Sequence, residues 1–386
     1  MKFDFINSTY YKSFVKGEGE AIISQILQDP EMIRANFMAW ANWFTVDPYT
    51  TPTDSTGVAA FKAQMKELQA AKVMSMRAPL GDSTPEDKKG IAFYTGTIPD
   101  FIAYGTVETA AERAYKEKMF EANFGNDAFI VSQFVDNIQN KIDSANQTLT
   151  NMAAQMMSKG NIKWIYGVGA TNMPVLKADI PEANFSKAGS KVWNAGDCKL
   201  LDQMVAIQEK YKDLWGVEMP MQWDIPYDMF HNVFLKNSQV IDLVKYAKSI
   251  NNVLLPEITT VTEDMFNEAV RLRPELFPIS IVSEKQRDVT GVVNGWEANV
   301  AVLRPLGYAG TVKRTDILDR EMYDKYGASD ITRVFASSAN GLYTIMNTTL
   351  NNGNLKEWHT DLMMSAVPVL EEFLYHVIVD TQTADE

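Results

Sequence analysis

Between Asp127 and Lys159 an apolar stripe recurs at alternating steps of three and four: Ala128, Val131, Val135, Ile138, Ile142, Ala145, Leu149, Met152 and Met156. That spacing lines one face of an α-helix. Asp127 or Asn126 can cap its first turn, Lys159 stands in the last turn, and Gly160 follows where a left-handed residue ordinarily stops a helix. At ~1.5 Å per residue the rod is roughly 50 Å long, far beyond the ~11–12 residues of an average helix. A coiled coil would cover so long a stripe. Its flanking positions (Ser132, Phe134, Gln139, Lys141, Asn146, Thr148, Ala153, Gln155) carry almost no complementary charge, which a coiled coil uses to choose its partner. The favoured reading is a strut along the face of a long sheet in the same chain, with Ile138, Ile142, Leu149 and Met152 as its packing positions.

A sheet that long needs a large body around it. The chain has 386 residues, 46% of them apolar, enough for two or three domains or lobes. Its net charge of −13 argues against a broad basic surface that grips nucleic acid. The single cysteine, Cys198, excludes an intrachain disulfide and reads as an inert thiol near a helix start. "MKFDFINSTYYKSF" lacks the apolar core of a signal peptide, and no stretch approaches the ~20 apolar residues that span a bilayer. The expectation is a cytoplasm-like compartment and no membrane.

Residues 1–55 read as an arm. "DPEMIRANFMAWANWF" opens on Asp29 and Pro30 as a helix start and places Met32, Ile33, Phe37, Trp40, Trp43 and Phe44 on a short helix. That is more aromatic surface than such a helix can bury alone. It packs either on a neighbouring subunit or on the chain's own core. A helix near Val58, Phe61, Met65 and Leu68 follows. Strand-like runs come next, Val73 to Ala78, Gly90 to Thr95 and Ile98 to Tyr104, around a charged tip of Glu86, Asp87, Lys88 and Lys89. This is a long hairpin with little core of its own.

Beyond the long helix, residues 196–335 read as a compact α/β lobe. Leu200, Met204, Ile207, Tyr211 and Leu214 mark one helix. "PMQWDIPYDMFHNVFLKNSQVIDLVKYAK" gives a strand and two short helices, and "TEDMFNEAVRL" a further helix with Thr262 as cap. "PISIVSEKQRD" and "WEANVAVLRPLG" read as strands bracketing a Gly291 to Gly295 turn. The tail returns to β structure with "FLYHVIVD".

Chemistry is hard to find. His231, His359 and His376 lie on separate elements and suggest neither a metal cluster nor a triad. No phosphate-binding GxxxxGK[ST] exists, and "YGVGATN" has only two glycines of a dinucleotide fingerprint. Glu371 with Glu372, or Glu263 with Asp264, could in principle serve a glycosidase, but adjacent acids are more often a solvated surface. The expectation is no catalytic residue, cofactor or metal.

Taken in order, an aromatic arm, an extended hairpin, a long strut helix and a lobe inserted before a returning strand resemble the major capsid proteins of tailed bacteriophages. These have the Hong Kong 97 capsid fold, and the match is closest to its lambda-type branch. "DNIQNKIDSANQTLTNMAAQMMSKGNI" looks like that family's spine helix. "PISIVSEKQRDVTGVVNGWEANVAVLRPLGYAGTVKRT" is similar to its strand, turn, strand unit, with Trp296 to Asn299 where a Pro-Asp-Gly is usual. "EWHTDLMMSAVPVLEEFLYHVIVD" resembles its C-terminal strands. The similarity covers roughly residues 70–386.

The resemblance implies an α+β fold with an N-terminal arm (1–55), an extended loop region with flanking helices (56–122), and a peripheral domain with the spine helix (123–195). It further implies an axial domain (196–335) and peripheral C-terminal strands (336–386). It implies a shell of pentamers and hexamers enclosing double-stranded DNA without tight sequence-specific binding, located in the virion and made in a bacterial host's cytoplasm. Phe37, Trp40, Trp43, Phe44, Asp87, Lys88 and Lys89 would be intersubunit contacts. A separate scaffolding protein, a portal and decoration proteins would be further partners. Lysine-to-asparagine cross-linking, known in some members, is not carried over: Lys88 and Lys89 have no matching partner or catalytic acid. An encapsulin-type nanocompartment shell is the nearest alternative. A carbohydrate-active or ligand-binding protein, suggested by eight tryptophans, would need a cleft of convergent polar groups.

Overall fold

The computed structural model describes residues 38–54, 59–66, 91–103, 107–109, 127–163, 175–216, 218–250, 261–282, 286–288, 291–293, 295–316, 331–337, 341–350 and 357–385, with single positions at 111, 115, 118, 119 and 122. For 66, 102–103, 107–109, 127–139, 175, 250, 286–288, 291–293, 331–337, 345–350 and 357–360 it describes the backbone alone. The chain divides into two compact units. One comprises residues 1–61, 96–152 and 311–368, the other 62–95, 153–310 and 369–386.

The first unit is built on a seven-stranded sheet. Its strands are β1 (Phe44–Thr50), β4 (Asp100–Ala103), β5 (Val107–Thr109), β14 (Gly310–Arg314), β15 (Ile331–Ser337), β16 (Thr344–Leu350) and β17 (Glu357–Leu370). The order is β1-β14-β17-β16-β15, with β4 and β5 also paired to β17. The 14 residues of β17 make it the axis of the sheet, roughly 46 Å long at ~3.3 Å per residue. That nearly equals the length of α1 (Asp127–Lys159), the 33-residue helix expected from the stripe. Gly160 ends α1 at φ +66°, and its amide donates to the Met156 carbonyl at 3.0 Å. The left-handed φ is what calls for glycine; a Cβ there would also meet Ile180 Cδ1 at 2.6 Å, the end of a side chain that can shift aside.

The second unit holds a five-stranded sheet in the order β10-β9-β13-β18-β8. Its strands are β8 (Phe185–Lys187), β9 (Met221–Pro226), β10 (Ile279–Val282), β13 (Val300–Pro305) and β18 (Val377–Asp380). All six residues of β13 are buried, as a central strand demands. Around the sheet lie α2 (Leu200–Trp215), α3 (Tyr227–Asn232), α4 (Ser238–Ile250) and α5 (Glu263–Val270). The core is aromatic. Trp193 meets Trp223 and Phe234 edge-on at 5.8 and 6.2 Å, and Phe234 meets Phe266 at 5.9 Å. Thr262 caps α5 by accepting the Met265 amide at 3.3 Å. On α2 the residues Leu200, Met204, Ile207 and Tyr211 are buried, whereas Leu214 is 54% exposed and departs from the expected face. Among the described residues there are also three two-stranded sheets: β2 (Ala59–Lys66) with β3 (Ile91–Ile98), β6 (Asn161–Lys163) with β7 (Val175–Lys177), and β11 (Gln286–Asp288) with β12 (Gly291–Val293).

Several sequence expectations change. The helix over Val58 to Leu68 is a strand, β2, through the described part of that stretch. The helix expected to end at Phe44 is, over its described residues, a single 3-10 turn at Ala39–Asn42, with Phe44 opening β1. The arm range 1–55 therefore contributes a strand to the large sheet. Gly291 begins a strand rather than a turn, and β10 and β13 are not neighbours, because β9 lies between them. The final strand β18 pairs with β13 and β8, so residues 336–386 do not all share the sheet of β16 and β17. Phe373–Tyr375, expected as strand, is a 3-10 turn.

Candidate functional site

The side chains singled out in the arm are turned inward. Trp40, Trp43 and Phe44 are all at most 3% exposed. The Trp40 amide donates to Thr150 Oγ1 at 3.3 Å, and its indole Nε1–H donates to Asn146 Oδ1 at 3.1 Å. The Tyr343 hydroxyl donates to the same oxygen, and burial raises the pKa of that phenol. Trp40 stands just ahead of β1 and Tyr343 just ahead of β16, so one asparagine on α1 ties the helix to two strand entries. The apolar surface of Trp40, Trp43 and Phe44 is buried within the chain and is not left for a neighbouring subunit. Phe37, Asp87, Lys88 and Lys89 lie outside the described residues.

On α1, Ile142, Leu149 and Met152 are buried, and Ile138 lies where the backbone alone is described. The stripe is not the whole story. From Leu149 to Ser158 every side chain is buried, Asn151 and Gln155 among them. Buried polar groups require partners, and several can be named. Gln155 Oε1 accepts the Lys163 amide at 3.0 Å. Ser158 Oγ donates to Ala154 O at 2.8 Å and accepts the Glu297 amide at 2.9 Å. At the helix end, where the last carbonyls lack intrahelical donors, the Met157 carbonyl accepts from His376 Nε2 at 2.7 Å. His376 is fully buried, and burial, opposed by the Met157 bond, holds its pKa down to about 4. It is therefore neutral, with the proton on Nε2. The histidine in the apolar run "FLYHVIVD" was the signal that could have marked this cap.

The ribbon of β2 and β3 has two different faces. Phe61, Ala63, Tyr94 and Ile98 are buried. Tyr94 donates to the Leu370 carbonyl at 2.8 Å and meets Phe373 edge-on at 5.2 Å. On the other face Ile91 and Phe93 are 60% and 51% exposed, and the Lys62 ammonium sits 3.9 Å over the Phe93 ring.

Two further features belong to the second unit. Asp224 and Arg304, on adjacent strands, form a buried ion pair at 2.6 Å. A cleft of about 540 Å³ is lined by Lys191, Asp197, Lys199, Asp202, Lys210 and Asp385, among others. Its charges are mixed in sign, and one pair, Lys191 with Asp197, is already bonded. Among the described residues no group of three or more His, Cys, Asp and Glu could hold a metal ion, and no helix is long and apolar enough to cross a membrane. His231 is exposed and stacks on Tyr227. Glu263 and Asp264 occupy the first turn of α5, where acids favour the helix dipole.

No family model matches the sequence, and no curated protein matches it. Solved structures do. The capsid protein of a prophage of E. coli CFT073 is similar over 89% of this chain and 92% of its own, at 12% identity and a TM-score of 0.46. A phage-related protein from Bordetella bronchiseptica RB50 is similar over 94% and 96%, at 15% identity and 0.47. The capsid of cyanophage P-SCSP1u is similar over 89% of both chains, at 12% identity and 0.38.

Proposed function

We infer that this chain is the major capsid protein of a tailed bacteriophage, a shell subunit that assembles with copies of itself into pentamers and hexamers around double-stranded DNA. The observation that carries the reading is the outward face of the β2–β3 ribbon. A two-stranded ribbon is marginal by itself. One face of this one is used by the chain, while the other presents Ile91 and Phe93 beside Lys62 and Gln64. An apolar centre with a polar rim is the composition of a protein–protein contact. When every copy carries the same ribbon, head-to-tail contacts generate closed rings if the rotation closes.

Other features support the same reading. A helix of about 50 Å tied to the entries of two sheet strands is a brace for a thin wall. The net charge of −13 suits a lining that must not hold packaged DNA tightly. Of residues 1–55, those ahead of the 3-10 turn at Ala39–Asn42 then serve as the arm, and Asp87, Lys88 and Lys89 make rim contacts with a neighbour. A separate scaffolding protein, a portal and decoration proteins are the further partners. The protein is made in the bacterial host's cytoplasm and resides in the virion capsid.

The test is microscopy and light scattering on protein expressed alone and with its scaffold. Wild type should form rings or closed particles. Ile91→Glu with Phe93→Glu should keep the circular dichroism of the folded subunit and form none. A wild type that stays monomeric throughout, or a double variant that assembles normally, refutes the reading. Particles filled with protein cargo in place of DNA would mark a nanocompartment.

A further inference from the structure

Glu372 stands in the connection between β17 and β18, and its Oε2 is buried without a hydrogen-bond partner. The cation that acts on it is committed elsewhere. Arg304 Nε donates to Asp224 Oδ2 at 2.6 Å and Nη2 to Asp224 Oδ1 at 3.5 Å. Its Nη1 donates to the carbonyls of Pro305, at 3.2 Å, and Gly307. Glu371 adds a negative charge beside Glu372. His376, also under the influence of Arg304, is neutral and bonded to the Met157 carbonyl. An ionised Glu372 thus keeps a buried oxygen with no donor, which is costly, and the protonated form relieves that cost.

The backbone determines where the cost is felt. The Ala309 carbonyl accepts the amides of both Glu371 and Glu372, at 3.0 and 3.1 Å. Ahead of Ala309 runs the turn Leu306, Gly307, Tyr308, with Gly307 at φ +121° and Leu306 and Tyr308 each 56% exposed. Arg304 fixes one end of this turn through the Gly307 carbonyl, and the Glu371–Glu372 amides fix the other.

We propose that Glu372 is a proton-operated latch for the turn at residues 306–309: the protonated carboxyl keeps the turn clamped, and loss of the proton loosens it. Burial raises the carboxyl to about 7, with Arg304 pulling it down and Glu371 pushing it up. A folded pKa above the ordinary 4.5 means that the open form gives up its proton first as pH rises. The clamp is therefore strongest in mild acid and weakens through neutrality. The latch lies within one unit and does not depend on the capsid reading.

Hydrogen–deuterium exchange of the full chain at pH 6 and pH 8, corrected for intrinsic rates, reads it directly. Protection at 306–312 and 369–376 should fall about three- to tenfold in wild type. Glu372→Gln should hold its protection at both pH values. Glu371→Gln should keep a fall, centred at lower pH. Equal losses in Glu372→Gln and wild type, or no loss in wild type, overturn the proposal. Should Glu372→Gln not fold, the side-chain carboxyl ¹³C titration of Glu372 in wild type decides: a midpoint near neutrality supports the latch, and one in the ordinary carboxylate range ends it.

Discussion

Two donors, the indole of Trp40 and the hydroxyl of Tyr343, converge on a single oxygen of Asn146. Asn146→Ala would take from two buried donors the oxygen they share, at ~1–3 kcal/mol for each buried hydrogen bond lost. A loss of about 2–4 kcal/mol in urea unfolding is expected, against about ±0.5 kcal/mol for the exposed Asn140→Ala. Equal effects would remove Asn146 from its bracing role. His376 makes a pH-dependent prediction. Its folded pKa of about 4 lies below the ordinary 6.5, so its contribution is fully present above pH 6.5 and is lost as pH falls toward 4. The loss amounts to about 3 kcal/mol. Glu372 has the opposite sign over much of the same range, so the wild-type profile alone is ambiguous. His376→Gln, whose amide can still reach the Met157 carbonyl, should therefore gain on wild type in melting temperature as pH drops from 7 to 4.5. A constant difference would rule out titration of His376.

At the scale of elements, α1 was legible because what forms a helix is local. Its period, Lys159 and Gly160 lie within one stretch of chain, and both ends fall where the sequence puts them. What the stripe could not tell is that the polar positions from Thr150 to Ser158 are buried too, because that depends on which segments wrap the helix. Leu149→Ala should lower stability by ~2–5 kcal/mol. Thr148→Ala, which removes a hydroxyl bonded only one turn back to the Ser144 carbonyl, should stay within about ±0.5 kcal/mol. Melts of unassembled subunits compare the three proteins; identical midpoints would mean that the helix is not packed within its own chain. For β2 the sequence carries two periods at once. Val58, Phe61, Met65 and Leu68 fit a helix, whereas Phe61 and Ala63 alternate with Lys62 and Gln64 as in a strand. Pairing with β3 selects the second.

At the scale of the whole molecule the proposed contacts are many and weak. Replacing Lys88 and Lys89 by Glu should leave the subunit folded and raise the concentration needed for assembly. An exposed pair is worth only ~0–1 kcal/mol but recurs at every contact. Light scattering at several salt concentrations measures this, and an unchanged threshold would place the hairpin tip in solvent. The sequence by itself determined the mixed α+β class, the bounds of α1, the course of α2 and the Thr262 cap of α5, since each rests on bonds between residues a few positions apart. Only the tertiary structure decided that the arm's tryptophans are buried against their own chain and that β9 separates β10 from β13. It alone set β18 beside β13, joining Val300 to Asp380 across the sheet. Strand partners are chosen by burial and hydrogen bonding between segments far apart in sequence, and no local pattern encodes that choice.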